Sequence, residues 1–124
     1  MVTMPKKPRL ESEIVAQVLL ACNRIPGVHL RRLNSRVIRM PGKGGRDRLV
    51  RFGWLGAPDI IGFKAEERPA VALARFIALE VKTPARRGNA TTEQRAFLDL
   101  VTRSGGIAAV VTSVEEAFKA LGAA

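Results

Sequence analysis

The chain has 124 residues, is 47% hydrophobic, and carries 21 Lys and Arg against 11 Asp and Glu, a net charge of +10. Such a length makes one domain with a core of its own, and the hydrophobic content excludes a wholly disordered chain. The charge calls for a polyanionic partner, nucleic acid before membrane because no amphipathic anchor is evident.

The lone cysteine, Cys22, rules out an internal disulfide. No apolar run approaches a membrane span, and the basic N-terminus lacks the apolar stretch of a signal peptide. A cytoplasmic protein is expected. With 5% aromatics and no Tyr, stacking platforms for single strands are scarce, which favours a duplex or branched DNA backbone.

Residues 1–10 read as a basic, flexible N-terminal arm, and 11–124 as a single domain. From Glu11 to Arg24, the apolar residues Ile14, Val15, Val18, Leu19 and Cys22 recur at helical spacing. Glu11 lies three, four and seven positions before Ile14, Val15 and Val18, so it shares the inward face, whereas Glu13 falls on the flank. Pro26 and Gly27 end this helix.

Val28 to Arg39 has β character, followed by a flexible basic loop from Met40 to Arg48 and a short strand from Arg48 to Phe52. Arg31 to Arg51 holds eight basic residues and one acid, Asp47. Arg32, Arg36, Arg39, Lys43 and Arg46 are the candidate phosphate contacts there, with Arg86 and Arg87 in a second basic loop. The glycines of 42–45 complete no phosphate-binding loop motif. Trp54 reads as a core or rim anchor, with base contact as the alternative. His29, the only histidine, has no ligand partners at zinc spacing and reads as a strand residue.

Asp59 follows Pro58 and opens the apolar run Ile60, Ile61, Phe63; Glu80 and Lys82 close the run Phe76 to Val81. Ala65 to Ala74 is expected to form a loop or hairpin connection between these two strands. Thr91 and Gln94 stand at capping-box spacing before a helix with Phe97, Leu98, Leu100 and Val101 as its apolar set. Ser104, Gly105 and Gly106 stop it, Ile107 to Val111 suits a buried central strand, and Ser113 with Glu116 starts a final helix.

Alternation along a strand puts Glu80 and Lys82 on one face and Leu79 and Val81 on the other. Two carboxylates at the ends of neighbouring strands suit a Mg²⁺ or Mn²⁺ ion, with the Val81 backbone carbonyl as a third oxygen. Lys82 could act as a base toward water or hold the attacked phosphate. Gln94 and Glu11 could orient waters there.

The ordered set G-A-P-D at 56–59, L-E-V-K at 79–82 and T-x-x-Q at 91–94 resembles the PD-(D/E)XK nuclease superfamily. More narrowly it resembles the stand-alone VRR-NUC domains of phages and bacteria, over roughly Glu11 to Glu116. The resemblance implies an α/β fold with a restriction-endonuclease-like core, a central mixed β-sheet flanked by α-helices. It makes Asp59 and Glu80 metal ligands, Lys82 the catalytic lysine, Gln94 the helix glutamine, and Glu11 or Glu13 the acid of helix 1. It further implies Mg²⁺ or Mn²⁺ dependence, structure-selective DNA cleavage like that of a Holliday-junction resolvase, and a homodimer. The alternatives are a nicking or flap nuclease and a non-catalytic nucleic-acid-binding protein.

Overall fold

A computed structural model describes residues 10–33, 36–52, 55–68 and 70–123. The first helix, α1 (Glu11–Cys22), buries Ile14, Val15, Val18 and Cys22, the stripe its spacing predicts. Burial pushes the Cys22 thiol up to about 11, so this cysteine behaves as a small apolar core residue. Just past the helix, Asn23 accepts the Leu30 N–H at 2.7 Å and donates to the Leu30 carbonyl at 3.1 Å. That pair of bonds occupies part of the outer edge of strand β1 (Val28–Arg32).

The chain then leaves the main sheet for β2 (Arg36–Met40) and β3 (Arg48–Phe52), which pair only with each other as an antiparallel ribbon. The β character expected from Val28 to Arg39 therefore divides between two sheets. The basic loop expected from Met40 to Arg48 is the ribbon's tip, and it contains a 3-10 turn at Lys43–Gly45.

The chain returns as β4 (Ile60–Arg68) and β5 (Val71–Val81), a long hairpin. Of the loop or hairpin expected from Ala65 to Ala74, the structure has the hairpin, and its strands run almost to the turn, with Ala65 opposite Ala74 and Glu66 opposite Leu73. Alanines and glutamates favour strands weakly, yet the backbone ladder continues through them, and Arg75 pairs with Glu66 at 3.3 Å across it.

Two further helices and one strand complete the fold: α2 (Thr92–Arg103), β6 (Ile107–Val111) and α3 (Val114–Ala120). The main sheet is ordered β1-β4-β5-β6, with β5 and β6 parallel and the other pairs antiparallel. Parallel neighbours cannot be joined by a tight turn, so α2 makes the crossover. β6 is thus an edge strand rather than a central one. Its apolar run arises because helices cover both of its faces, which does not require a strand on both sides.

Alternation along β5 divides the core. Ile77, Leu79 and Val81 join the α1 and α3 side, while Ala78 joins Leu98 and Val101 of α2 on the other. Lys64 ties β4 to α3 by donating to the Leu121 carbonyl at 2.8 Å, at the end of the helix where a cation is favourable. Among the described residues no helix is long and apolar enough to cross a membrane. A four-stranded mixed sheet between helices is the restriction-endonuclease-like α/β core that the sequence motifs imply.

Candidate active site

Hairpin register brings the two acids together. Ile60 pairs with Leu79 in antiparallel sense, so the next residues outward, Asp59 and Glu80, face each other across the strands. Directly opposed side chains lie on one face with Cβ atoms roughly 5 Å apart. Pro58, fully buried, fixes the entry to β4. Asp59 is further held at both ends: its carbonyl accepts the Leu33 N–H at 2.8 Å, and its Oδ2 accepts the Val81 N–H at 2.7 Å.

Glu80 is 3% exposed, on the face of the sheet that α2 covers. Its Oε1 accepts from Gln94 Nε2 at 2.9 Å and lies 3.5 Å from Lys82 Nζ. Burial is the main force pushing the Glu80 carboxyl up to about 8. The negative charge of Asp59 and a hydrogen bond between the two carboxyls add to it, and Lys82 opposes it. A divalent cation between the two carboxylates would relieve that repulsion and favour their charged forms.

Gln94 is aimed by the helix it caps. The Thr91 hydroxyl accepts the Gln94 N–H at 3.1 Å, and Gln94 Oε1 accepts the Thr91 N–H at 2.8 Å. With its oxygen committed to the cap, the amide can present only its NH₂ group to Glu80. One side chain thus closes the helix end and fixes the carboxylate. The sequence shows both roles separately, but their coincidence on Gln94 is a structural result.

Val81 stands where a third oxygen would be useful. Its N–H points at Asp59, and in an extended strand a residue's N–H and C=O point the same way. Its carbonyl therefore opens toward the same corner, beyond the first residue of β4. Two hard carboxylates with a carbonyl beside them are a donor set that fits Mg²⁺ or Mn²⁺.

Glu11 is half-buried at the start of α1, lining a cleft with Thr83, the residue after Lys82, and with Arg86. Among the described residues no three His, Cys, Asp or Glu side chains gather to hold an ion. Glu13 is exposed on the same helix.

The basic residues spread over two regions. Arg32 is exposed at the end of β1, opposite Ile60 and thus next to Asp59. Arg39, Lys43 and Arg46 are exposed on the ribbon. The side chain of Arg36, Trp54 and residues 1–9 lie outside the described residues. Arg86 is exposed beside Glu11. Arg87 instead donates to Glu116 Oε1 and Thr112 Oγ1, and Thr112 donates to the same Glu116 oxygen. This tie holds the loop after β5 to the start of α3. The spacing of Ser113 and Glu116 suggests a capping box, but only its Ser113 half forms: the Ser113 hydroxyl accepts the Glu116 N–H at 3.1 Å, while the Glu116 carboxylate is taken by Arg87 and Thr112.

Residues 11–115 match the VRR-NUC domain family. No curated protein and no solved structure matches the chain.

Proposed function

The chain belongs to the VRR-NUC domain family, and is thereby a nuclease with DNA as its substrate; we propose that it is a Mg²⁺- or Mn²⁺-dependent, structure-selective endonuclease that resolves branched DNA. The observation that carries this is the cross-strand pair Asp59–Glu80 with Lys82 and Gln94 converging on it.

In this reading Asp59, Glu80 and the Val81 carbonyl hold the ion, which when bound activates water and offsets charge on the phosphate. Lys82 places an ammonium at the same corner, where it stabilises negative charge developing on the attacked phosphate. Gln94 keeps Glu80 in one rotamer, so the donor oxygens are set before substrate arrives. Asp59 is fixed by the Val81 N–H for the same purpose.

Paired cuts across a junction need two active sites, and each chain has one such corner, which supports a homodimer. An exposed apolar surface is available for it. Leu73 is 46% exposed, Phe76 40% and Leu100 55%, around a cleft between β5 and the C-terminal half of α2. The test is direct: incubate labelled four-way junction, flap and plain duplex with the protein, with and without Mg²⁺. Symmetric cutting of the junction only with Mg²⁺ is expected. Equal cutting in excess chelator would remove the metal from the mechanism, and preference for the flap would replace the resolvase reading.

A further inference from the structure

The β2–β3 ribbon pairs with no strand of the main sheet among the described residues. Residues 36–52 hold six basic residues and one acid. A basic element that stands apart from the main sheet invites a binding role.

Its roots are what place it. The outgoing root, just after β1, is pinned where the Leu33 N–H meets the Asp59 carbonyl. The returning root reaches Gly56, whose φ of 80° and close packing allow no side chain. A Cβ there would come 2.4 Å from the Glu93 carbonyl, one residue before Gln94. Leu33 and Gly56, the described residues that flank the ribbon on its two sides, therefore both sit at the corner where Asp59, Glu80 and Gln94 meet.

Its dimensions and surface indicate what it enters. Five residues per strand give a reach of about 17 Å before the tip. A two-stranded ribbon fits the major groove of B-DNA, about 12 Å wide, and not the minor groove, about 6 Å wide. Gly44 and Gly45 each have a φ of 71°, and nothing lies within 4 Å of where their Cβ atoms would be, so the tip is slim and open. Arg39 stands opposite Leu49, which is 71% exposed. An arginine beside an apolar side chain suits base edges, a guanine acceptor pair or a thymine methyl, better than phosphates alone.

We propose that the β2–β3 ribbon is a groove-inserting arm, lying in the major groove of the DNA duplex whose backbone reaches the Asp59–Glu80 corner. Lys43 and Arg46 at the tip meet phosphates on the far side of that groove, and Arg39 with Leu49 faces base edges. This rests on the nuclease reading for the position of the cut strand, but groove occupancy can be measured without cleavage.

The experiment measures binding in chelator to three duplexes of one sequence: unmodified, carrying glucosylated hydroxymethylcytosine that fills the major groove, and saturated with netropsin in the minor groove. Wild-type protein should bind the glucosylated duplex about tenfold or more weakly and the netropsin-filled duplex unchanged. Two variants report on the arm: Lys43→Gln with Arg46→Gln, and replacement of residues 41–47 by an Asn-Gly turn. The double substitution should lower the slope of log affinity against log salt by about two units. The shortened arm should lose most of its sensitivity to glucosylation.

Wild-type binding indifferent to glucosylation, or displaced by netropsin, would overturn the proposal. So would a double-substituted protein with an unchanged salt slope. Cleavage of a four-way junction in Mg²⁺, run in parallel, separates the two ideas. Cutting with groove-insensitive binding leaves the nuclease reading and removes the arm. Groove-sensitive binding with no cutting of any DNA leaves the arm and removes the nuclease reading.

Discussion

Gln94 donates to Glu80 at 2.9 Å while its own carbonyl oxygen is held by the N–H of Thr91. Helix capping and carboxylate positioning thus share one side chain, and substitutions can pull them apart. Gln94→Glu keeps an oxygen for the Thr91 N–H but replaces the donor facing Glu80 with an acceptor. Its melting temperature should stay close to wild type in Mg²⁺ while cleavage falls about tenfold or more. Gln94→Ala loses both functions and should also cost about 1 kcal/mol of stability. Thermal melts beside cleavage rates check this, and a fully active Gln94→Glu protein would assign the glutamine to the helix alone.

Glu80 makes the metal-free protein sensitive to pH. Its carboxyl is pushed up to about 8 in the folded state, whereas an unfolded glutamate titrates near about 4.3. Between those values the folded protein keeps a proton that the unfolded chain has released. The stability from this group is fully present below the lower value and is lost as pH rises through the upper one. In chelator, the urea midpoint of wild type should fall from about pH 5 to about pH 9, and Glu80→Gln should flatten that decline. Added Mg²⁺ should restore wild type at the alkaline end, since a cation there replaces the proton. Parallel curves for wild type and variant would show the slope comes from other groups.

Charge at the acidic pair separates catalysis from binding. Asp59→Asn and Glu80→Gln preserve shape but remove the charge a divalent ion needs, so each should lose about 10²-fold or more of cleavage. Both should remain folded, because repulsion between neighbouring carboxylates is relieved. Their affinity for branched DNA in chelator should hold or rise, as each substitution removes a negative charge near the phosphates. Lys82→Ala should also lose cleavage while still binding Mn²⁺, measured by calorimetry. Wild-type cutting by well-folded Asp59→Asn protein would sink the assignment of this corner.

Assembly is tested on the exposed apolar surface. Leu73→Glu together with Leu100→Glu places charges on two side chains that the core does not use. If that surface joins two copies, light scattering should show a dimer for wild type and a monomer for the variant, with both equally helical by circular dichroism. A wild-type monomer, with or without junction DNA, would end the paired-cut reading.

Much of this protein was legible from sequence because its signals are local. The α1 stripe of Ile14, Val15, Val18 and Cys22 follows from helical period, and the caps at Thr91–Gln94 and Ser113–Glu116 follow from spacing. The face shared by Glu80 and Lys82 follows from strand alternation. What the sequence could not decide was long-range. Only the β4–β5 register, set by where the hairpin turns, puts Asp59 opposite Glu80, and a slip of one residue would send Glu80 to the α1 face. Only the sheet order makes β6 an edge, since an apolar run reads the same whether strands or helices cover it. Likewise, the basic run from Arg36 to Phe52 has the same charge as a loop or as a ribbon. Where it lies depends on the residues that flank it, Leu33 on Asp59 and Gly56 beside Glu93, contacts between residues far apart in the chain.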